Sequence, residues 1–151
     1  MTAPLRPAGE SDIPAIDGLL KAEWLPSYAL DEFLETFLVL EDEGRVVGCS
    51  GLEVYGEAAL LRSVVVLPER RGLDEGRRLV EASLSEARRR GVRRVFLFTM
   101  NAAPFFRRMG FEETPLEVFD EAVRASRQYE VVSQRPEIRE MLVGMSQALS
   151  G

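Results

Sequence analysis

The residues best placed to do chemistry fall in one turn and in the strands before it. The turn is Arg70, Arg71, Gly72 and Gly76, inside LLRSVVVLPERRGLDEGRRLVEASLSEARRRG at residues 60–91. A strand that feeds a helix N-terminus through such a turn offers backbone N–H groups and a partial positive charge, which suits an anion. From Glu69 to Arg94 nine arginines face five acidic residues, a local +4 in a chain of net charge −6, which leaves −10 elsewhere. A basic island in an acidic chain fits an anionic ligand held locally; several of these arginines are simply a solvated helix face. Upstream, Arg62 lies two residues before Val64 in the central strand, so regular alternation puts the two on one face. It either grips a substrate carboxylate bidentately or pairs with Glu53 or Glu57 across the hairpin. Thr99, at the end of a later strand, touches substrate or only satisfies backbone. Cys49, between Gly48 and Ser50, reads as a small buried residue with nothing beside it to lower its pKa.

These residues need elements to hold them. Leu60 to Leu67 is an aliphatic, β-branched run stopped by Pro68, which predicts a buried strand. Leu79, Val80, Leu84 and Ala87 fall at helical spacing, and the helix ends at Gly91 after Arg88, Arg89 and Arg90. Thr2–Ala8 predicts an edge strand. Ser11 or Asp12 predicts the cap of a helix with Pro14 in its first turn and Ile13, Ile16, Leu19 and Leu20 on one face. Residues 24–28 form a break around Pro26, and 30–35 a second short helix. Trp24, Tyr28 and Phe33 line a substrate pocket or merely cover the core. Phe37–Glu41 and Arg45–Val54 predict a hairpin through Asp42-Glu43-Gly44. Arg94–Thr99 predicts a strand parallel to the central one through a right-handed crossover. A short helix, AAPFFRRM, closes at Gly110-Phe111. Helical character is expected over 117–128, a strand over 129–132, and strand or helix over 138–145.

Bulk properties narrow the class. The 151 residues suit one domain with a sizeable core. The negative charge argues against nucleic acid as a partner. One cysteine and no histidine exclude an intrachain disulfide and histidine catalysis, and no metal site is expected. No apolar run reaches 18 residues, so neither a membrane span nor a membrane partner is expected, and a cytoplasmic protein is.

LRSVVVLPERRGLDEG, a helix, a strand and NAAPFFRRMGF, in that order, resemble the GNAT N-acetyltransferase superfamily. GLEVYGEAALLRSVVV and AAPFFRRMGF look most like its small arsenic-resistance-associated and N-acetylglutamate-synthase-like members. The resemblance spans about Phe37 to Phe111. It implies a mixed α/β (α+β) GNAT fold over 1–151, with a central mixed sheet of six or seven strands flanked by helices. It also implies acetyl-CoA as cosubstrate, without a metal. By the same resemblance Val64, Val65 and Val66 offer backbone groups to the pantetheine arm. Arg71, Gly72, Leu73, Asp74, Glu75 and Gly76 wrap the pyrophosphate, with Arg77 close by. Asn101 sits by the pantetheine, and Phe105 or Phe106 lies along the cofactor arm. The chain departs from the family pattern at Asp74, where a glycine is expected, at Phe106, where a tyrosine often serves as acid, and at Leu60, where an acidic residue is common.

Acetyl transfer from a thioester to an amine needs a proton acceptor and an oxyanion donor, and alignment of the reactants supplies much of the rate. The Val64 N–H is the candidate oxyanion donor. Glu53 is the candidate base, although a solvent-facing strand residue is the commoner role for such a carboxylate. The expected function is acetyl transfer to the amine of a small, amino-acid-like molecule, with Arg62 and Thr99 on the substrate. The rival is a GNAT-fold binding or interaction module that no longer catalyses. An exposed strand edge at the C-terminus would suit a homodimer.

Overall fold

The apolar run before the turn becomes the strand at which the sheet changes from antiparallel to parallel. The computed structural model describes residues 3–72 and 74–149; Leu73 of the expected pyrophosphate loop lies outside the described residues. The strands are β1 (Leu5–Pro7), β2 (Leu38–Asp42), β3 (Arg45–Tyr55), β4 (Ala58–Val66), β5 (Arg94–Thr99), β6 (Glu112–Glu113) and β7 (Val143–Ala148). They form one sheet in the order β1-β2-β3-β4-β5-β7-β6. β1, β2 and β3 pair antiparallel. β4 and β5 pair parallel over Ala58–Leu60 and Arg94–Phe96, and β7 runs antiparallel to both β5 and β6.

The helices are α1 (Ile13–Ala22), α2 (Glu75–Arg89), α3 (Ala103–Arg108), α4 (Glu121–Arg124), α5 (Arg127–Gln134) and α6 (Pro136–Arg139). The chain divides into two compact units, Met1–Glu53 with Leu61–Glu86, and Val54–Leu60 with Ala87–Gly151. In the first, α1 lays Ile16, Leu19 and Leu20 into a cluster with Phe37, Val39, Cys49 and Val65. Leu79 of α2 joins a different cluster with Leu40 and Val47, and Val66 packs against that one. Neighbours Val39 and Leu40, like Val65 and Val66, thus go to opposite faces, as pleating dictates. Each fully buried side chain of this size contributes about 2 kcal/mol. In the second unit, Leu60 and Phe96 pack with Leu116, Phe119, Val123 and Val132.

Several expectations give way. Residues 129–132 are helical, within α5, because Ser126 caps it by accepting from the Tyr129 N–H at 3.2 Å. Tyr129 also donates its hydroxyl to the Leu116 carbonyl at 3.0 Å, so the β-branched pair Val131-Val132 does not decide the conformation. The helix expected over 117–128 is broken: residues 116–118 make a 3-10 turn, and Asp120 caps the four-residue α4. Over 138–145 the chain is first α6 and then β7. β7 lies inside the sheet between β5 and β6, so the strand at that edge is the two-residue β6. The helix expected over 30–35 shrinks to a 3-10 turn at Leu34–Thr36 after a left-handed Ala29. Asp12 precedes α1, but its carboxylate accepts from the Gly9 N–H and from Arg6 and makes no cap bond to the helix. Among the described residues no helix is long and apolar enough to cross a membrane.

Candidate functional site

Ser63 sits in β4 at φ 63°. A left-handed residue inside a strand interrupts the pleat as a β-bulge does, leaving a residue outside the regular ladder. The consequence can be read from β3, where Cys49, Gly51 and Glu53 share a face. Cys49 packs in the α1 cluster, the Phe37 ring lies where a Gly51 methyl would be, and Glu53 reaches Arg62. On β4 that face is met by Arg62, whose guanidinium lies 5.5 Å from the Phe37 ring centroid, and by Val65. Arg62 and Val65 are three residues apart, an odd step. Alternation therefore slips at Ser63, and Arg62 and Val64 do not share a face as regular pleating predicts.

The charge in β4 is fully engaged with its surroundings. Arg62 Nη1 donates to Glu53 Oε2 at 3.0 Å, and the two side chains are 2% and 1% exposed. Arg62 Nε donates to Ser63 Oγ at 2.9 Å and Nη2 to the Pro26 carbonyl at 3.3 Å. The guanidinium also stacks 4.4 Å over the Tyr28 ring, whose hydroxyl donates to Glu53 Oε2 at 3.0 Å. Of the two readings of Arg62, the structure displays the ion pair with Glu53. Glu53 is buried rather than solvent-facing. Glu57 is exposed instead and pairs loosely with Arg93 at 3.6 Å. Burial pushes the Cys49 thiol up to about 12. It donates to the Ser63 carbonyl at 3.2 Å, so it is no nucleophile.

The turn after β4 places two left-handed residues before α2. A 3-10 turn spans Pro68–Arg70, Gly72 has φ 88° and Asp74 φ 64°, and α2 starts at Glu75. Aspartate tolerates this left-handed conformation better than most residues. The first four N–H groups of an α-helix have no partner within the helix. Asp74 is exposed, with Arg77 Nη1 3.9 Å away, and Arg77 donates to Glu81 at 2.6 Å. Arg71 is exposed and donates to Glu23 at 2.7 Å. Glu75 behaves differently. Its carboxylate is fully buried and doubly bonded by Arg70, Nε to Oε1 at 2.7 Å and Nη2 to Oε2 at 3.0 Å. It also accepts from the Ala3 N–H at 2.9 Å. Arg70 holds it below the usual carboxylate range, against the opposing effect of burial. Arg70 reaches Asp42 as well, at 2.8 Å. Sequence reasoning did not single out Arg70 as the organiser of this turn: two adjacent arginines carry no signal of which one folds inward.

In the other unit, Thr99 is buried and its hydroxyl accepts from the Ala102 N–H at 3.0 Å, which shapes the entry to α3. Asn101 is exposed within that turn and Phe105 is half-buried. Phe106 is buried and meets Phe105 and Phe111 edge-on, with ring centroids 5.0 and 5.8 Å away. A groove of about 700 Å³ beside α1 is lined by Arg6, Asp12, Gly18, Glu41, Arg45 and Leu67 among others, and by none of the expected site residues.

A sequence profile of the acetyltransferase (GNAT) domain matches residues 34–113. The chain belongs to the GNAT acetyltransferase family. It is 36% identical over 141 residues to an amino-acid acetyltransferase of Mycobacterium tuberculosis, covering 80% of this chain and 78% of that one. It is 34% identical over 102 residues to the amino-acid acetyltransferase of Aeromonas salmonicida, covering 66% of this chain; it spans only 23% of that relative's length. A crystal structure of a Mycobacterium tuberculosis protein in complex with CoA superimposes with TM-score 0.78 at 30% identity, covering 97% of this GNAT chain and 99% of that one.

Proposed function

We propose that this GNAT chain transfers the acetyl group of acetyl-CoA to the amine of a small, amino-acid-like acceptor in the cytoplasm. The observation that carries the reading is the buried Glu53 carboxylate, held by Arg62 on the strand whose bulge at Ser63 takes backbone out of the ladder. The relatives named amino-acid acetyltransferases and the CoA-bound neighbour favour the same reading. The turn suits the cofactor's pyrophosphate. Gly72 and Asp74 are left-handed, α2 begins directly after them, and the Glu75 carboxylate is neutralised by Arg70. Residues 71–77 would hold that group, and Val64–Val66 the pantetheine arm by backbone pairing.

Acetyl-CoA supplies an activated acyl group whose thiolate departs with little help. The chain's own residues do the rest. The Val64 N–H stabilises negative charge developing on the acyl oxygen. Glu53 takes the proton that the acceptor amine sheds, directly or through a water. Arg62 faces the acceptor while it keeps Glu53 in place. A non-catalysing binding module is favoured by one feature, the buried Phe106 ring, which has no proton to give. Isothermal titration with acetyl-CoA, followed by an acceptor screen reading free-thiol release, separates the two. Cofactor binding with release of thiol in the presence of amino acids is expected. No heat at millimolar acetyl-CoA from folded protein overturns the enzyme reading, and binding without turnover selects the module.

A further inference from the structure

Tyr28 belongs to an irregular segment between α1 and β2, yet the segment is tightly held. Trp24 and Ala29, on either side of it, have φ of 58° and 54°. Left-handed non-glycine residues cost on the order of 1 kcal/mol each and persist where the surroundings over-determine them. Here the surroundings are Arg62, which receives the Pro26 carbonyl and the Tyr28 ring, and Glu53, which receives the Tyr28 hydroxyl. The phenol and the guanidinium converge on the same oxygen, Oε2, each at 3.0 Å. Two donors on one buried oxygen fix the orientation of the carboxylate.

We propose that Tyr28 is a positioning residue for Glu53: its phenol O–H fixes the carboxylate while its ring holds Arg62. The inference rests on Glu53 as the proton acceptor of the reaction above, but its physical content lies in the free protein. The titratable and charged groups set around Glu53 include Arg62 from β4, Tyr28 from the 24–30 segment and Cys49 on its own strand. Arg62 is locked by three acceptors and Cys49 stays a thiol through the physiological range. Tyr28 is therefore the neighbour whose hydrogen bond can be removed without removing a charge. Its arrangement also divides the labour within one side chain: the ring stacks on Arg62 and the hydroxyl serves Glu53.

The test begins with the carbon-13 resonance of the Glu53 carboxyl at neutral pH in the full chain, assigned by its loss in Glu53→Gln. In Tyr28→Phe the ring stays on Arg62 and only the hydroxyl goes, and the resonance is expected to move. An unchanged resonance, with native chemical-shift dispersion, overturns the proposal. Acetyl transfer is then read in the same variant: kcat is expected to fall by about tenfold while the KM for acetyl-CoA stays within about twofold. A moved resonance with unchanged kcat overturns Tyr28 as a positioning residue. A Glu53→Gln variant that keeps its kcat instead overturns Glu53 as the proton acceptor, the reading on which the proposal rests.

Discussion

Two arginine–glutamate pairs with buried carboxylates lie in the same compact unit and are built differently. Arg70 grips Glu75 with two nitrogens on two oxygens, and the Ala3 N–H adds a third bond. Arg62 meets Glu53 through one nitrogen and one oxygen, and a phenol shares that oxygen. The first pair is a rivet. It ties residue 3, the turn and the start of α2 together and neutralises a carboxylate at the helix N-terminus. The second is built into a strand that breaks its own pleat and is flanked by two aromatic rings. Bidentate closure leaves a carboxylate little else to do, whereas a single shared oxygen leaves it adjustable. Similar residue pairs thus differ in geometry, closed on both oxygens in one place and shared on one oxygen in the other.

The sharpest way to break this comparison is to remove the rivet. Glu75→Ala leaves Arg70 without its principal partner and is expected to cost about 3 kcal/mol, read as a lowered urea midpoint. A loss below about 1 kcal/mol would make the pair ornamental. The same pair sets a pH dependence. The folded-state proton affinity of Glu75 is depressed, so its contribution is complete above the usual carboxylate range and is lost as pH falls through the folded value. Stability should drop between neutral and acidic pH, and less steeply in Glu75→Gln. Next comes Glu53→Gln, expected to slow acetyl transfer by about a hundredfold or more while acetyl-CoA affinity stays within about twofold. Equal loss of affinity and rate would erase the distinction between the two pairs. Arg71→Ala and Gly72→Glu should each weaken acetyl-CoA binding by well over about tenfold, since the first removes an exposed cation and the second forces a side chain and a charge onto a left-handed backbone. Unchanged calorimetric affinity in both would move the anion site elsewhere. The smallest effect is Asp74→Gly, which removes an exposed carboxylate and should tighten binding a few-fold; weaker binding would show that Asp74 supports the turn.

Much of this arrangement was legible from residue order alone. The run Leu60–Leu67, the helix through Leu79 and Leu84 and the strand Arg94–Thr99 announce themselves by period, and the parallel pairing they predict is observed between β4 and β5. The left-handed turn was legible from Gly72, and from the tolerance of aspartate at 74. What escaped is long-range. Nothing near Ser63 in sequence signals its left-handed φ, and its carbonyl accepts from Cys49, which arrives on another strand. Which of Arg70 and Arg71 turns inward depends on Glu75 and Asp42 arriving from elsewhere. Of the C-terminal helices, α5 was missed where its single cap, Ser126, outweighs Val131 and Val132, and the break that sets off α4 at its Asp120 cap was missed as well.

The buried thiol of Cys49 bears on how all of this is measured. Counting released CoA relies on a reagent that captures free sulfur. A thiol whose pKa is raised to about 12, donating to a carbonyl in the seam between β3 and β4, is silent to that reagent while the fold is intact. The assay blank should stay flat, and its upward drift on adding urea becomes a clock for the opening of the strands that carry Glu53 and Arg62.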